Sequence, residues 1–261
     1  MITRSTILTL ISVAVFGGTL YSFINHTYLD TSDPLLAHLP HPLHTKTIFA
    51  QRSNVFNTVF VKWAWAWTSL AFLSIWVTSP AEQRTREKWF KWAATTYVWG
   101  SFVLWFFGPG LFDRLWVASG GECMIRLPDG HEPAILKIPS EYCVSRSIIS
   151  PQTHPALFTS FMESNTIQAT WKTSAKLYRG HDVSGHIFLL TLAVLFLHDQ
   201  LQPAWRTITS GRLSNSLPYK VAVAFSTLLM SLWLFMILMT SIYWHSPFEK
   251  LSGFGTFIDV S

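Results

Sequence analysis

Charge is scarce in this sequence. Only 13% of its 261 residues are Asp, Glu, Lys or Arg, whereas 49% are hydrophobic. So little charge is atypical of a soluble domain of this size, and the apolar surface needs lipid to cover it. The chain is also rich in Trp (13) and Phe (20), which fits the aromatic belts of membrane proteins at the two lipid interfaces. The composition therefore predicts an integral membrane protein.

A basic stripe of the kind that binds nucleic acid is also missing. The net charge is +5, but the Lys and Arg residues are scattered or gathered beside apolar runs, so no nucleic acid partner is expected. Two short loops, 79–91 and 202–220, hold most of the clustered cations and are predicted to be cytosolic. These cations are Arg84, Arg86, Lys88, Lys91, Arg206, Arg212 and Lys220. The N-terminus is then cytosolic and the other loops are lumenal or external.

Long apolar runs define the predicted spans. Five runs can cross the roughly 30 Å of hydrocarbon, at 6–24, 57–77, 93–112, 185–201 and 221–244. The 16 residues after His245 are too few for a full sixth span, and only a short re-entrant or truncated helix fits at Phe248–Ile258. The sequence shows no internal repeat and no second soluble domain. Residues 1–261 are therefore predicted to form one all-α, polytopic membrane domain with a lumenal loop at 113–180.

Cysteine is nearly absent as well. Cys123 and Cys143 are the only two, and both lie in the predicted lumenal loop. An oxidising compartment would let them form a disulfide that closes a loop of about 20 residues and stabilises it by roughly 3 kcal/mol. Two free, unreactive cysteines are the alternative.

Two histidines are the candidate catalytic residues. His186 ends the motif His181-Asp182-Val183-Ser184-Gly185-His186 before an apolar run, where Asp182 or Ser184 can cap a helix whose first N–H groups favour a phosphate. His245 follows the last apolar run, and the order of spans brings it to the same face as His186. Such a pair can serve as nucleophile and general acid in phosphoryl transfer. The alternative for His186 is an interfacial histidine without a catalytic role.

Cations near the same face are the candidate phosphate ligands. Lys62 lies about 7.5 Å inside the second run, where a charge is costly and is by default a functional hypothesis. Arg52 lies just outside that run and could hold phosphate with it. The alternative for Lys62 is snorkelling to the interface. His38, His41 and His44 alternate with prolines and are not expected to bind metal, and no carboxylate cage predicts a metal or other cofactor.

Three segments resemble the FIT family, the fat storage-inducing transmembrane proteins. They are Gln51–Asn57 continuing through Phe60–Thr68, the block Gly180–Leu190 around Asp182-Val183-Ser184-Gly185-His186, and Tyr243-Trp244-His245 with Glu249-Lys250 and Gly253–Phe257. Together they cover about a quarter of the chain in the family's order. FIT proteins usually have six spans, whereas the apolar runs of this sequence predict five and at most a short sixth helix.

The resemblance implies an endoplasmic reticulum protein that acts on fatty acyl-CoA. The family cleaves its diphosphate to acyl 4'-phosphopantetheine and adenosine 3',5'-bisphosphate, without a cofactor, on the lumenal side. It is also tied to ER lipid homeostasis, to lipid droplet formation and to binding of di- and triacylglycerol within membrane lipid. Its catalytic histidines correspond to His186 and His245. Ser184 and Gly185 are expected at the phosphate.

FIT proteins are in turn similar to lipid phosphate phosphatases, and that analogy makes His245 the nucleophile and His186 the acid. Asp182 and Glu249 are expected to orient them. The helix dipole alone would favour the reverse roles, by only about 0.3–1 kcal/mol. The phosphatases' Ser-Arg before the nucleophile is replaced here by Leu238 and Met239, so other cations must bind phosphate.

Two other functions remain open. One is a non-catalytic protein that binds di- and triacylglycerol and partitions neutral lipid into droplets. The other, a small transporter, is weakly supported because intramembrane charges are few and no paired broken helices are found.

Overall fold

The computed structural model describes residues 2–30, 39–103, 110–128, 135–159, 170–209 and 216–258. They form two compact units. The first comprises the described residues of 1–30, 39–100 and 183–261, and the second comprises those of 101–182. The described chain is mostly helical, which confirms the predicted all-α membrane class. Its helices are α1 (Arg4–Ile24), α2 (Phe56–Thr78), α3 (Arg86–Val103), α4 (Leu111–Ala118), α5 (Glu141–Val144), α6 (Gly185–Thr209), α7 (Leu217–Tyr243) and α8 (Pro247–Ile258).

Four of these helices, α1, α2, α6 and α7, are long and apolar enough to cross a membrane. The predicted count of five is therefore one too many for the described residues. The exception is α3, which begins at Arg86, earlier than the predicted span 93–112, and carries four charges in its first six residues. Those charges lower its apolar character. Residues 104–109 of that predicted span lie outside the described residues.

The central helix of the first unit is α6. Of its apolar window, 78% is buried inside the protein, against 33–44% for the other three spanning helices. The helix packs against α7, α2, α1 and α8, which together enclose it. The helix also continues past Pro203 to Thr209, beyond the predicted end at Leu201. Proline removes only one backbone hydrogen bond, and the enclosing helices can offset its cost of about 3 kcal/mol.

The start of α2 is irregular. A π-helical turn spans Phe56–Phe60 and a 3₁₀ turn spans Val61–Trp63 before regular helix begins at Ala64. Single π turns of this kind are frequent at functional sites. Lys62 therefore lies in the distorted part of the helix. The predicted short C-terminal helix is also present, as the 12-residue α8.

The second unit contains short strands that the apolar pattern did not predict. β1 (Glu122–Arg126) pairs antiparallel with β2 (Ile135–Lys137) and with β5 (Lys176–Tyr178), and β3 (Ile148–Ile149) pairs with β4 (Thr173–Ser174). The buried core of this unit contains Cys123, Ile125, Leu127, Ile138, Ile149 and Phe158. The described residues of 113–180 thus form a packed unit with their own core.

A disulfide joins Cys123 on β1 to Cys143 on α5. Because it closes a loop with a sequence separation of 20, removing it is expected to destabilise the second unit by about 3 kcal/mol. The test is hydrogen exchange of the Cys123→Ser/Cys143→Ser protein, which should show faster exchange in β1 and β2 and unchanged exchange in α6. Unchanged protection of the strands would contradict the prediction.

Candidate active site

The first unit contains a cavity of about 240 Å³ between α2, α6 and α7. Its lining includes both candidate histidines, His186 and His245. The other polar or charged residues of the lining are Arg52, Asn54, Asn57, Lys62 and Thr240. Sites for drug-sized ligands are typically roughly 300–1,000 Å³, so this cavity suits a small polar group of a longer molecule.

The two histidines come from different helices and meet in this cavity. His186 is the second residue of α6, and His245 lies in the turn between α7 and α8. The centroids of the two imidazole rings are 6.5 Å apart. His245 has a φ of 64°, a left-handed conformation that is uncommon for a residue other than glycine. This backbone turn directs the chain from α7 into α8.

Glu249 on α8 connects the two histidine segments. Glu249 is 1% exposed, and its Oε2 lies 3.5 Å from Nδ1 of His245 and accepts a 2.8 Å hydrogen bond from the Ser246 N–H. Its main-chain oxygen accepts a 3.0 Å hydrogen bond from the N–H of Ser184, two residues before His186. One residue therefore positions both histidines. Burial works to raise the pKa of the Glu249 carboxyl, but the contacts with His245 and the Ser246 N–H lower it, so the pKa lies below its ordinary value.

Two further residues hold α8 in place. Gly253 packs against the start of α6 so closely that a Cβ there would lie 2.6 Å from the main-chain oxygen of Ser184. Lys250 is fully buried and donates a 2.8 Å hydrogen bond to the Ser22 hydroxyl of α1. Burial lowers the pKa of Lys250 to about 8, while nearby Glu249 acts in the opposite direction. Both contacts fix the position of Glu249 relative to α6 and α1.

The cations of the cavity come from the start of α2. Asn54 caps this helix, because its side-chain oxygen accepts a 2.9 Å hydrogen bond from the Asn57 N–H. The Asn57 side chain donates to the main-chain oxygen of Arg52 at 2.8 Å and so ties that residue to the helix. Arg52 and Lys62 both line the cavity with the histidines. Met239 lines it as well.

His41, which was not expected to bind metal, instead contacts the residues that precede His245. Its Nε2 lies 2.9 Å from the main-chain oxygen of Tyr243, and its ring packs edge-on against Trp244 at 5.3 Å between centroids. The indole N–H of Trp244 donates to the main-chain oxygen of Phe49 at 2.9 Å. These contacts fix the two residues before His245. No periodicity or motif marks a histidine in a Pro-flanked loop as the partner of a helix 200 residues later.

The hydrogen bonds of His41 define its protonation. Its Nδ1 accepts from the Leu43 N–H at 3.0 Å, so the proton lies on Nε2, which donates to Tyr243. Burial lowers the pKa of His41, outweighing the two backbone hydrogen bonds that raise it, and the positive charge of Arg52 lowers it further. His41 is therefore neutral in the folded protein and holds its partners with both ring nitrogens.

Replacing His41 is expected to slow any reaction that depends on His245. In His41→Asn the contacts to Tyr243 and Trp244 are lost, and a shift of about 1 Å at His245 would lower kcat by about 10- to 100-fold with little change in KM. His26→Asn is the matched control because His26 is exposed. Equal kcat values for the two variants would show that His41 does not position the site.

The remaining predicted site residues lie at the start of α6. Ser184 is buried, and its hydroxyl has no hydrogen-bond partner among the described residues, so it does not cap the helix. Ser184 and Gly185 adjoin His186 but are not among the described residues that line the cavity. Asp182 is assigned to the second unit. The expected roles of these three residues stay predictions.

Comparison with known proteins identifies the relatives of the chain. Residues 45–224 and 213–258 match the family described as "Fat storage-inducing transmembrane protein". The chain is similar to the protein named "Acyl-coenzyme A diphosphatase fit1" of Schizosaccharomyces pombe, with 30% identity over 79% of this chain and 68% of that protein. It is also similar to "Fat storage-inducing transmembrane protein 1" of Homo sapiens, with 26% identity over 82% of this chain and 63% of the human protein.

A third relative is "Acyl-coenzyme A diphosphatase FITM2" of Xenopus tropicalis, with 24% identity over 77% of this chain and 65% of that protein. The chain thus spans about two thirds of the length of these relatives. No solved structure matches the chain.

Proposed function

Because the chain belongs to the fat storage-inducing transmembrane family, we propose that it is a fatty acyl-CoA diphosphatase. The reaction would hydrolyse the diphosphate of acyl-CoA to acyl 4'-phosphopantetheine and adenosine 3',5'-bisphosphate. The observation that carries the proposal is the cavity in which His186 and His245 meet, 6.5 Å apart, beside cations from α2. Two relatives named as acyl-CoA diphosphatases support the same reaction.

The first chemical step is attack by a nitrogen of His245 on one phosphorus of the diphosphate. A bond from nitrogen to phosphorus forms, and the bond from that phosphorus to the bridging oxygen breaks. His186 donates a proton to the bridging oxygen as it leaves with the other phosphate. In the second step His186 removes a proton from water, which attacks the phosphorus and releases His245.

Glu249 supports the choice of His245 as the nucleophile. Its carboxylate lies 3.5 Å from Nδ1 of His245, which leaves Nε2 as the nitrogen available to attack. A carboxylate in this place also stabilises the positive charge that the imidazole gains when it bonds to phosphorus. His186 then has the role of acid, as the similarity to lipid phosphate phosphatases implies.

Arg52 and Lys62 would bind the two phosphates. Cations near a phosphoryl group stabilise the charge of the transition state in a site from which water is excluded. The cavity is small, so the diphosphate would occupy it while the acyl chain extends into the bilayer and the nucleotide extends to the aqueous side. The proposed steps draw only on histidine and cationic side chains, so activity in EDTA is expected.

The location of the reaction is also a proposal. The family resemblance supports the endoplasmic reticulum membrane, and the cations of the 79–91 and 202–220 loops support a cytosolic N-terminus and a lumenal site. Removal of acyl-CoA within this membrane would serve lipid homeostasis and lipid droplet formation. Di- and triacylglycerol binding rests on the resemblance alone.

The experiment is incubation of the purified protein in detergent with palmitoyl-CoA and EDTA, followed by mass spectrometry of the products. The expected products are the two named above, in equal amounts. Phosphatidic acid serves as a control, because a lipid phosphatase would release inorganic phosphate from it. Release of phosphate from phosphatidic acid alone would contradict the proposal, and no product from either substrate would favour a non-catalytic, neutral-lipid-binding protein.

A further inference from the structure

A second cavity lies between α3 and α6, at the other end of α6 from the histidine pair. Its volume is about 290 Å³. Asp199 and Gln200, which line it, follow His186 by 13 and 14 residues, a distance of about 20 Å along a helix. We name this cavity the α3–α6 groove. It is distinct from the candidate active site in both position and lining.

The lining of the α3–α6 groove changes from polar to apolar along its length. Arg4, Lys91, Asp199 and Gln200 form one end, and Val98 and Leu192 lie about 10 Å further along their helices at the other end. The polar end is at the start of α1, since the His198 side chain contacts the main-chain oxygen of Ile2 at 3.4 Å. It therefore lies where a spanning helix enters the bilayer. The apolar end points toward the bilayer centre, as the acyl chains of a lipid do.

The polar end offers several hydrogen-bond acceptors. Gln200 is only 2% exposed, and its side-chain oxygen has no hydrogen-bond partner among the described residues. A buried acceptor without a donor costs about 1–3 kcal/mol, so a ligand donor is favoured here. Asp199 adds a carboxylate, with Oδ1 at 3.5 Å from Nδ1 of His198. Pro203 lacks an N–H, so the main-chain oxygen of Asp199 also lacks its α-helical donor.

The same end carries two cations. Arg4 is exposed at the first turn of α1, and Lys91 is half-exposed on α3, where it pairs with Glu87 at 2.9 Å. A group that fits this end must therefore present an anion to the cations and several N–H donors to the acceptors. A phosphate linked to a primary ammonium has both. A phosphate linked to a trimethylated ammonium has the anion but no N–H donors.

From this charge pattern we propose that the α3–α6 groove binds one phosphatidylethanolamine molecule of the leaflet remote from the histidine pair. The phosphate contacts Arg4 and Lys91. The ammonium donates to Asp199 and to the buried Gln200 oxygen. The first carbons of the acyl chains lie along Val98, Leu192 and Leu195, and the rest extend into the bilayer.

The test is native mass spectrometry of the full-length protein in micelles, titrated with phosphatidylethanolamine or with phosphatidylcholine of the same acyl chains. The wild type is expected to retain phosphatidylethanolamine about tenfold more tightly, the effect of one hydrogen bond with a charged partner. Lys91→Gln should weaken both lipids, and Arg86→Gln, an exposed cation of the same helix outside the lining, should weaken neither. Because this experiment measures lipid binding and not hydrolysis, its result is independent of the diphosphatase proposal.

Gln200→Leu should reduce phosphatidylethanolamine binding toward the level of phosphatidylcholine, because only Asp199 then accepts from the ammonium, and should leave phosphatidylcholine binding unchanged. If the Gln200→Leu protein does not fold, Asp199→Asn is the substitute, because Asp199 is half-exposed. It should also weaken phosphatidylethanolamine binding. Equal affinity of the wild type for the two lipids, or equal affinity for a diacylglycerol that lacks phosphate, would overturn the proposal.

Discussion

Hydrolysis of acyl-CoA is expected to fall by at least about 10³-fold when His245 is replaced by asparagine. The loss removes the nucleophile, and no described side chain of the cavity other than His186 offers a comparable group. Asparagine is a better replacement than alanine because it tolerates the left-handed backbone conformation that His245 adopts, with φ of 64°. The measurement is the rate of adenosine 3',5'-bisphosphate release at saturating palmitoyl-CoA.

His186→Ala should reduce the same rate by about 10²- to 10⁴-fold, the range for a general acid. His154→Ala, in the second unit, is the matched control and should keep wild-type activity. Thermal unfolding of each variant in the same detergent separates lost chemistry from lost folding. A His245→Asn protein that hydrolyses acyl-CoA at the wild-type rate would exclude His245 as the nucleophile.

Replacing Lys62 with methionine should lower kcat/KM by about 100-fold. Methionine keeps the length and apolar stem of the side chain but removes the charge that would bind a phosphate, a contact worth about 1.5–3 kcal/mol. The Lys62→Arg variant should retain most of the wild-type activity, because arginine keeps a cation in the cavity. The steady-state kinetics with palmitoyl-CoA measure both effects.

The control for Lys62 is Lys46→Met, which removes an exposed cation outside the described cavity lining. If Lys62 only snorkels to the interface, both lysine variants should have the same kcat/KM as the wild type. That result would also require another residue to bind the diphosphate.

The spanning helices could be predicted because lipid imposes a simple rule on them. A helix must be apolar over about 20 residues, and the predicted runs 6–24, 57–77 and 221–244 agree with α1, α2 and α7 to within a few residues. The rule fails where other forces act. α6 continues through Pro203 because the surrounding helices enclose it, and α3 starts with charges that the apolar count does not include.

The strands of the second unit could not be predicted in the same way. β1 does not alternate, because its three central residues are all buried, and β3 and β4 have only two residues each, which is too short for an alternating pattern. Their stability depends on a core that includes Ile125 and Phe158 and on the disulfide, both of which join residues far apart in sequence. Contacts of this kind are visible only in three dimensions.

The candidate site was partly readable from the sequence. His186, His245 and Arg52 lie at the ends of apolar runs and Lys62 lies just inside one, and the structure brings all four to one cavity. Two other contacts could not be predicted from the sequence. They are the main-chain hydrogen bond from Ser184 to Glu249 and the contact of His41 with Tyr243. Each joins a loop or a short helix to a distant turn, and neither residue type nor spacing indicates the partner.

The central claim is that His186 and His245 act as one unit on a diphosphate, and a double-mutant cycle tests it most directly. The measurement is kcat/KM with palmitoyl-CoA for the wild type, His186→Ala, His245→Asn and the double variant. Residues that serve the same step are strongly non-additive, so the double variant should be no slower than the slower single variant. Losses that multiply in the double variant, or wild-type activity in either single variant, would contradict the two-histidine mechanism.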